Sequence, residues 1–316
     1  MGDIKKSKPI QPKQVVSDVD SDPPLVEFTL ADDLTVWFDD DHPNSSQSFK
    51  NKTAMVILRD LIQGKITTFD ATRAVLDMLP SREECLKGGD NGWNEAKGQH
   101  AALSQWFCDM AMQIPYNHRA QAWLVQLLVT ISRSERSGGM SHGPLGEGYP
   151  IFVSMEQFGI DVYEQFEPDI EDDLWPGDPV AHGLNSTAFL ARLSLAGFPG
   201  FVRNAFRTMR NLESEPSDPR YTDLSVSTAA LRVLYGGQTL YIQAVEAPVT
   251  EDSNSAHFKP GKLYKGPQFG IERWAFWKEA LKAAGEKPEE KMSEQSRKLA
   301  AAAAELMEAI EKGRRV

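Results

Sequence analysis

Residues 261–283, GKLYKGPQFGIERWAFWKEALKA, join a glycine-rich turn to a segment of helical period, and their reading decides the class of the fold. Ile271, Trp274, Trp277 or Lys278, and Leu281 recur every three to four residues, whereas a half-buried strand would alternate every second residue. The spacing predicts a helix over 270–284, with Ile271, Trp274 and Leu281 on its buried face and Arg273 and Lys278 at its flank. A last helix is expected over 288–312 on the stripe Leu299, Ala303, Leu306 and Ile310, with Gly313, Arg314 and Arg315 suited to a C-terminus.

The same period runs back through the chain. Ala54, Ile57, Leu58 and Leu61 mark a helix that Gly64 can stop in the left-handed conformation. Thr67 and Asp70 then have capping-box spacing, Ala71, Ala74, Val75, Met78 and Leu79 form a stripe, and Pro80 ends it. The turn between these segments is short enough for an antiparallel hairpin. A second hairpin is expected from a helix beginning near Trp93, with His100 interrupting its apolar stripe and Pro115 stopping it. Its partner is capped by Asn117 and lined by Ala120, Leu124, Leu127, Leu128 and Ile131. Further on, a serine- and glycine-rich loop spans 132–150, a helix carries Met155, Phe158, Val162 and Phe166, and residues 167–178, EPDIEDDLWPGD, form an acidic loop. Asn185 is expected to cap a helix that Gly197 ends, Pro199 to open the next one, and Gly236-Gly237 to kink or break the helix that carries Leu224, Thr228, Leu231 and Leu234.

The N-terminal part differs. Residues 1–24 are polar, hold Pro9, Pro12, Pro23 and Pro24, and have too few apolar groups to offset the entropy of ordering, which predicts a disordered tail. Residues 25–41 read either as a small β-hairpin or as a short helix. The expectation is an all-α protein: one irregular multi-helical domain over 25–316, built of antiparallel helical hairpins. No fixed repeat period supports a solenoid array.

A net charge of −11 on 316 residues disfavours nucleic acid as the main partner, because phosphate binding needs a basic face. Only Cys85 and Cys108 are present, which argues for a reducing compartment, and the N-terminus lacks a secretory h-region; a cytoplasmic or nuclear, non-secreted protein is expected. No apolar run approaches the ~20 residues of a membrane helix. Asp39, Asp40, Asp41 and His42 are the nearest thing to a metal cluster, but the triplet ends before Pro43 without a second motif, and a solvated acidic loop is preferred over magnesium-dependent prenyl chemistry. The acidic loop 167–178 lacks EF-hand spacing, the glycines at 138–148 lack a Gly-Lys-Ser/Thr, and no nucleophile elbow or HExxH is present. No metal and no cofactor is expected.

Four stretches, 64–79, 114–131, 184–193 and 263–281, carry a resemblance, and two of them hold its characteristic residues. Tyr264 and Gly266 precede Arg273, Trp274, Trp277 and Lys278 in one; Asn185, Ala188, Phe189, Ala191 and Arg192 make up the other. Over roughly residues 48–312 the chain resembles a fungal, mostly helical family catalogued as domain of unknown function thirty-six thirty-two. The sequence departs from that pattern at Ala181-His182-Gly183, where a tryptophan is expected. The resemblance implies a helical fold and a fungal source, and it supplies no activity. Asn185, Arg192, Arg273, Trp274, Trp277 and His100 are the candidate pocket or interaction residues. The leading expectation is a module that binds a protein or a small ligand. The alternative is an accessory biosynthetic enzyme, of cyclase or isomerase type, with an aromatic-lined pocket.

Overall fold

A computed structural model describes residues 51–79, 106–132, 179–197, 201–215, 221–246, 258–288 and 291–314, with isolated positions at 83, 87, 88, 99, 103 and 134. The tail 1–24, the hairpin or helix at 25–41, the Asp39–Asp41 triplet, most of the loop at 132–150, the helix through Met155 and Phe166, and the acidic loop 167–178 lie outside these residues. So do His100 and Cys85.

Among the described residues every regular element is helical. Helix α1 (Asn51–Ile62) buries Ala54, Ile57, Leu58 and Leu61, the stripe its period predicts. Gly64 stops it at φ +70°, its N–H donating to Leu61 O (2.9 Å) while Lys65 N–H donates to Asp60 O (2.8 Å). This pair of bonds is the Schellman arrangement, which satisfies the last carbonyls of the helix. Helix α2 (Thr68–Met78) starts on Thr67, whose Oγ1 accepts from Asp70 N (3.1 Å) and donates to the Asp70 carboxylate (2.6 Å).

Helical residues 106–113 (α3) end before Pro115, and α4 (Ala120–Ser132) follows. Its start differs from expectation. His118 rather than Asn117 makes the cap, with Nδ1 accepting from Ala120 N (3.2 Å). The first core gathers α1 to α4 and the inner face of α5, from Ala54 through Leu193.

Helix α5 (Pro179–Leu195) begins two turns earlier than Asn185. Proline is favoured at a first helical position because its missing N–H is unpaired there anyway. Asn185 is therefore an interior residue and not a cap. After α6 (Phe201–Arg210) and a 3₁₀ turn (Asn211–Glu213), α7 runs unbroken from Thr222 to Tyr241. The glycine pair does not break it. A Cβ at Gly236 would sit 3.1 Å from Ala191 O on α5, and one at Gly237 would sit 3.0 Å from Ile310 Cδ1 on the last helix. The glycines thus let two helices approach the middle of α7, which outweighs their poor helix propensity. Beyond Tyr241 the backbone forms a π-turn (Ile242–Glu246), where Ala244 O accepts from Gly270 N (2.7 Å).

Helix α8 (Ile271–Gly285) has the expected bounds within a residue, but its phase is corrected. Trp274 and Leu281 are buried as read, and of the alternatives Trp277 and Lys278 it is Trp277 that is fully buried, whereas Ile271 is 41% exposed and Arg273 is fully buried. The last helix, α9 (Glu294–Arg314), starts later than Pro288, where Ser293 supplies a cap: its Oγ accepts from Ser296 N (3.2 Å). Helices α6 to α9 enclose a second core, and α7 joins the two by packing along both α5 and α9.

Candidate functional site

Apart from His100, which lies outside the described residues, the expected site residues fall into two separate clusters. The first surrounds Glu213, at the end of the 3₁₀ turn and fully buried. Its Oε1 accepts from Arg273 Nε (2.6 Å) and Trp277 Nε1 (2.7 Å); its Oε2 accepts from Arg273 Nη2 (3.1 Å) and Gly261 N (2.6 Å). The remaining arginine nitrogen, Nη1, donates to Phe258 O (2.6 Å) and Gln268 O (2.7 Å). A buried ion pair is tolerable only when geometry is good and the leftover donors are satisfied, and this pair meets both conditions. That neutralisation is why an arginine occupies the inward face of α8 where the apolar period alone would put Ile271.

Aromatic rings close around the pair. Phe206 lies 5.1 Å from Phe258, 5.3 Å from Phe269 and 5.7 Å from Trp277, centroid to centroid. Trp274 packs edge-on against Tyr241 at 4.9 Å. Arg273, Trp274 and Trp277 thus form a packed core. The aromatic side chains that a cyclase-type site would arrange around a substrate are here in contact with one another.

The second cluster links α3, α4, α5 and α9. Asn185 Nδ2 donates to Met112 O (2.7 Å), and Gln121 Nε2 donates to Ala111 O and Ile114 O (both 2.9 Å). Two side chains thereby satisfy carbonyls at the end of α3, a helix terminus with no intrahelical partners for them. Two turns along α5 from Asn185, Arg192 Nη2 donates to Tyr116 O (2.8 Å), and its guanidinium lies 3.5 Å over the Tyr235 ring. Burial pushes the Arg192 pKa down, and Tyr235 partly offsets that shift.

Tyr116 is held from its other end as well, since its hydroxyl accepts from Gln295 Nε2 (3.1 Å). Between this tyrosine and the first turns of α9 lies an open cleft of about 430 Å³, lined by Tyr116, Glu294, Gln295, Lys298 and Leu299. Lys298 pairs with Glu294 across one helical turn (2.6 Å), which holds the Glu294 carboxyl below its usual range.

The sequence profile of the family described as "Protein of unknown function (DUF3632)" matches residues 105–281, more than half of the chain. The chain belongs to this family. No curated protein and no solved structure matches it. The DUF3632 match is narrower than the resemblance over 48–312: it includes the Glu213 cluster, Asn185 and Tyr116, and it stops before α9.

Within this DUF3632 chain, the described residues include no group of three or more His, Cys, Asp or Glu placed to hold a metal ion, and no helix long and apolar enough to cross a membrane. Among the cluster residues not singled out from sequence are Glu213, Tyr116, Gln121 and Gln295. Gln121 carried a usable signal, because it falls in the buried phase of α4 with Leu124 and Leu128. Glu213 carried none, since its arginine lies 60 residues away.

Proposed function

We propose that this DUF3632 chain is a protein-interaction module, folded as one helical domain and acting in the cytoplasm or nucleus. In this reading the cleft between Tyr116 and the start of α9 receives a segment of a partner protein. The observation that carries it is the openness of a cleft whose tyrosine is nevertheless fixed at both ends, by Arg192 at the carbonyl and Gln295 at the hydroxyl. Small-ligand sites enclose most of their ligand, commonly 70–90% of its surface. A cleft bounded by one tyrosine and one helix face leaves a metabolite largely in water but suits a single anchoring side chain of a longer segment. Tyr116 and Leu299 offer apolar contact for that anchor, and Glu294, Gln295 and Lys298 form a polar rim, the usual anatomy of a protein contact. The bond from Gln295 to its hydroxyl reduces the side-chain freedom that Tyr116 can lose on binding. The low cysteine count supports the reducing compartment.

The test is selection of a random peptide library on the purified full chain, followed by calorimetric titration of the enriched sequences against wild type, Tyr116→Ala and Leu299→Arg. Truncating a central aromatic anchor contact costs ~2 kcal/mol or more, so about a thirtyfold loss of affinity is expected from Tyr116→Ala. Enriched peptides that bind both variants as tightly as wild type would overturn the proposal.

A further inference from the structure

The loop that links the Glu213 cluster to α8, residues 258–270, FKPGKLYKGPQFG, contains three lysines and no acidic residue in a chain of net charge −11. Its backbone is fastened at five points. Gly261 N donates to Glu213 Oε2 (2.6 Å), Leu263 N to Glu213 O (2.7 Å) and Gly270 N to Ala244 O (2.7 Å). Phe258 O and Gln268 O both accept from Arg273 Nη1. Phe258 and Tyr264 turn inward and are buried. Lys259, Lys262 and Lys265 turn outward, and Leu263, between the last two, is 49% exposed. No carboxylate of the described residues pairs with any of the three lysines. Glu272, also exposed, stands at the α8 end of the loop, near Gly270 and Tyr264.

We propose that this fastened loop is a second interaction surface, and that its partner is a short acidic protein segment carrying one apolar side chain. The three ammonium groups meet the carboxylates, and Leu263 meets the apolar side chain. Because the backbone is already held by Glu213 and Arg273, docking orders the lysine side chains and little else. Charge selects a short segment over a large polyanion. At physiological salt, charges farther than ~8 Å are screened, so a bound peptide senses the local lysines and not the acidic remainder of the chain. A duplex or an anionic bilayer would extend under that remainder. It would also expect more positive charge than is present: stable duplex contact uses about six to ten phosphate pairings, and membrane-binding clusters hold about four to eight basic residues. The surface shares no residue with the Tyr116 cleft.

The experiment uses the full chain and three fluorescent probes: an acidic peptide with a single leucine, its charge-reversed lysine counterpart, and phosphatidylserine-containing vesicles. Wild type is compared with the triple variant Lys259→Glu, Lys262→Glu, Lys265→Glu and with Leu263→Ser; all four positions are exposed, and melting temperature verifies that the fold is retained. The acidic peptide should bind wild type in a salt-sensitive manner, and the triple variant should bind it roughly three- to a hundredfold more weakly. The triple variant should gain affinity for the lysine peptide, a charge exchange that a damaged fold would not produce. Leu299→Arg, in the cleft, should leave acidic-peptide binding unchanged, which separates failure here from failure of the cleft. Equal binding of the acidic peptide by wild type and triple variant, no binding of it at millimolar concentration, or preference of wild type for the vesicles would each overturn the proposal.

Discussion

Replacing Glu213 by Gln tests whether the second core depends on one buried carboxylate. The substitution keeps the volume and removes the charge. Each carboxylate oxygen accepts from two donors, Oε1 from Arg273 Nε and Trp277 Nε1, Oε2 from Arg273 Nη2 and Gly261 N. Whichever way the glutamine amide turns, its NH₂ faces two donors and both hydrogen bonds are lost. Bonds to a charged group contribute ~1.5–3 kcal/mol each, so about 3–6 kcal/mol disappears, and the Arg273 charge is left buried without its counter-ion. That is a large share of the ~5–15 kcal/mol that holds a typical domain together. Urea unfolding followed by tryptophan emission and by circular dichroism measures it, and Trp277, which loses its acceptor, should report in the native baseline. Glu213→Leu with Arg273→Met should be less damaging than Glu213→Leu alone, because the double change leaves no buried charge. A loss under about 1 kcal/mol for Glu213→Gln, with unchanged native emission, would refute the reasoning.

Other changes separate packing from capping. Gly236→Val pushes a side chain against Ala191 O and should cost about 1–3 kcal/mol, whereas Gly313→Ala, whose Cβ meets nothing within 4 Å, should raise stability by ~0.4–1 kcal/mol; thermal melts rank the two. Asn185→Ala leaves Met112 O without its donor and should cost about 1–3 kcal/mol in chemical unfolding. His118 should make stability depend on pH. Burial first, and Arg119 second, lower its pKa, so the unfolded chain binds the proton more readily than the folded one. The stabilisation is complete above the unfolded value of ~6.5 and is lost as pH falls from there toward the lower folded value. His118→Ala should flatten that slope while removing a cap contribution of ~0.5–2 kcal/mol, read from unfolding midpoints across the acid range.

Much of the fold was legible because it depends on local rules. The stripe of α1, the left-handed stop at Gly64, the Thr67 cap and the bounds of α8 each follow from residues within a turn or two of one another. The clusters were less legible. Arg192 and Asn185 were singled out on one helix, but their partners, Tyr116 and Met112, are 76 and 73 residues away, and no period links such positions. Polar residues on apolar faces were the one signal available: it marks Gln121 as well as His100, and it says that a partner is required without naming it.

Two places show where local chemistry ends. Taken alone, Gly236-Gly237 satisfies every rule for a break, since glycine lowers helix propensity by ~1 kcal/mol per residue. Only the approach of Ala191 and Ile310 turns that deficit into the condition for packing three helices together. In residues 261–283, likewise, the period alone determined that a helix forms and that Trp274 and Leu281 share one phase, with Trp277 or Lys278 between them. Which of Ile271 and Arg273 joins them was decided by tertiary structure. A buried arginine is stable only beside a carboxylate, and chain folding brings Glu213 to it from 60 residues away.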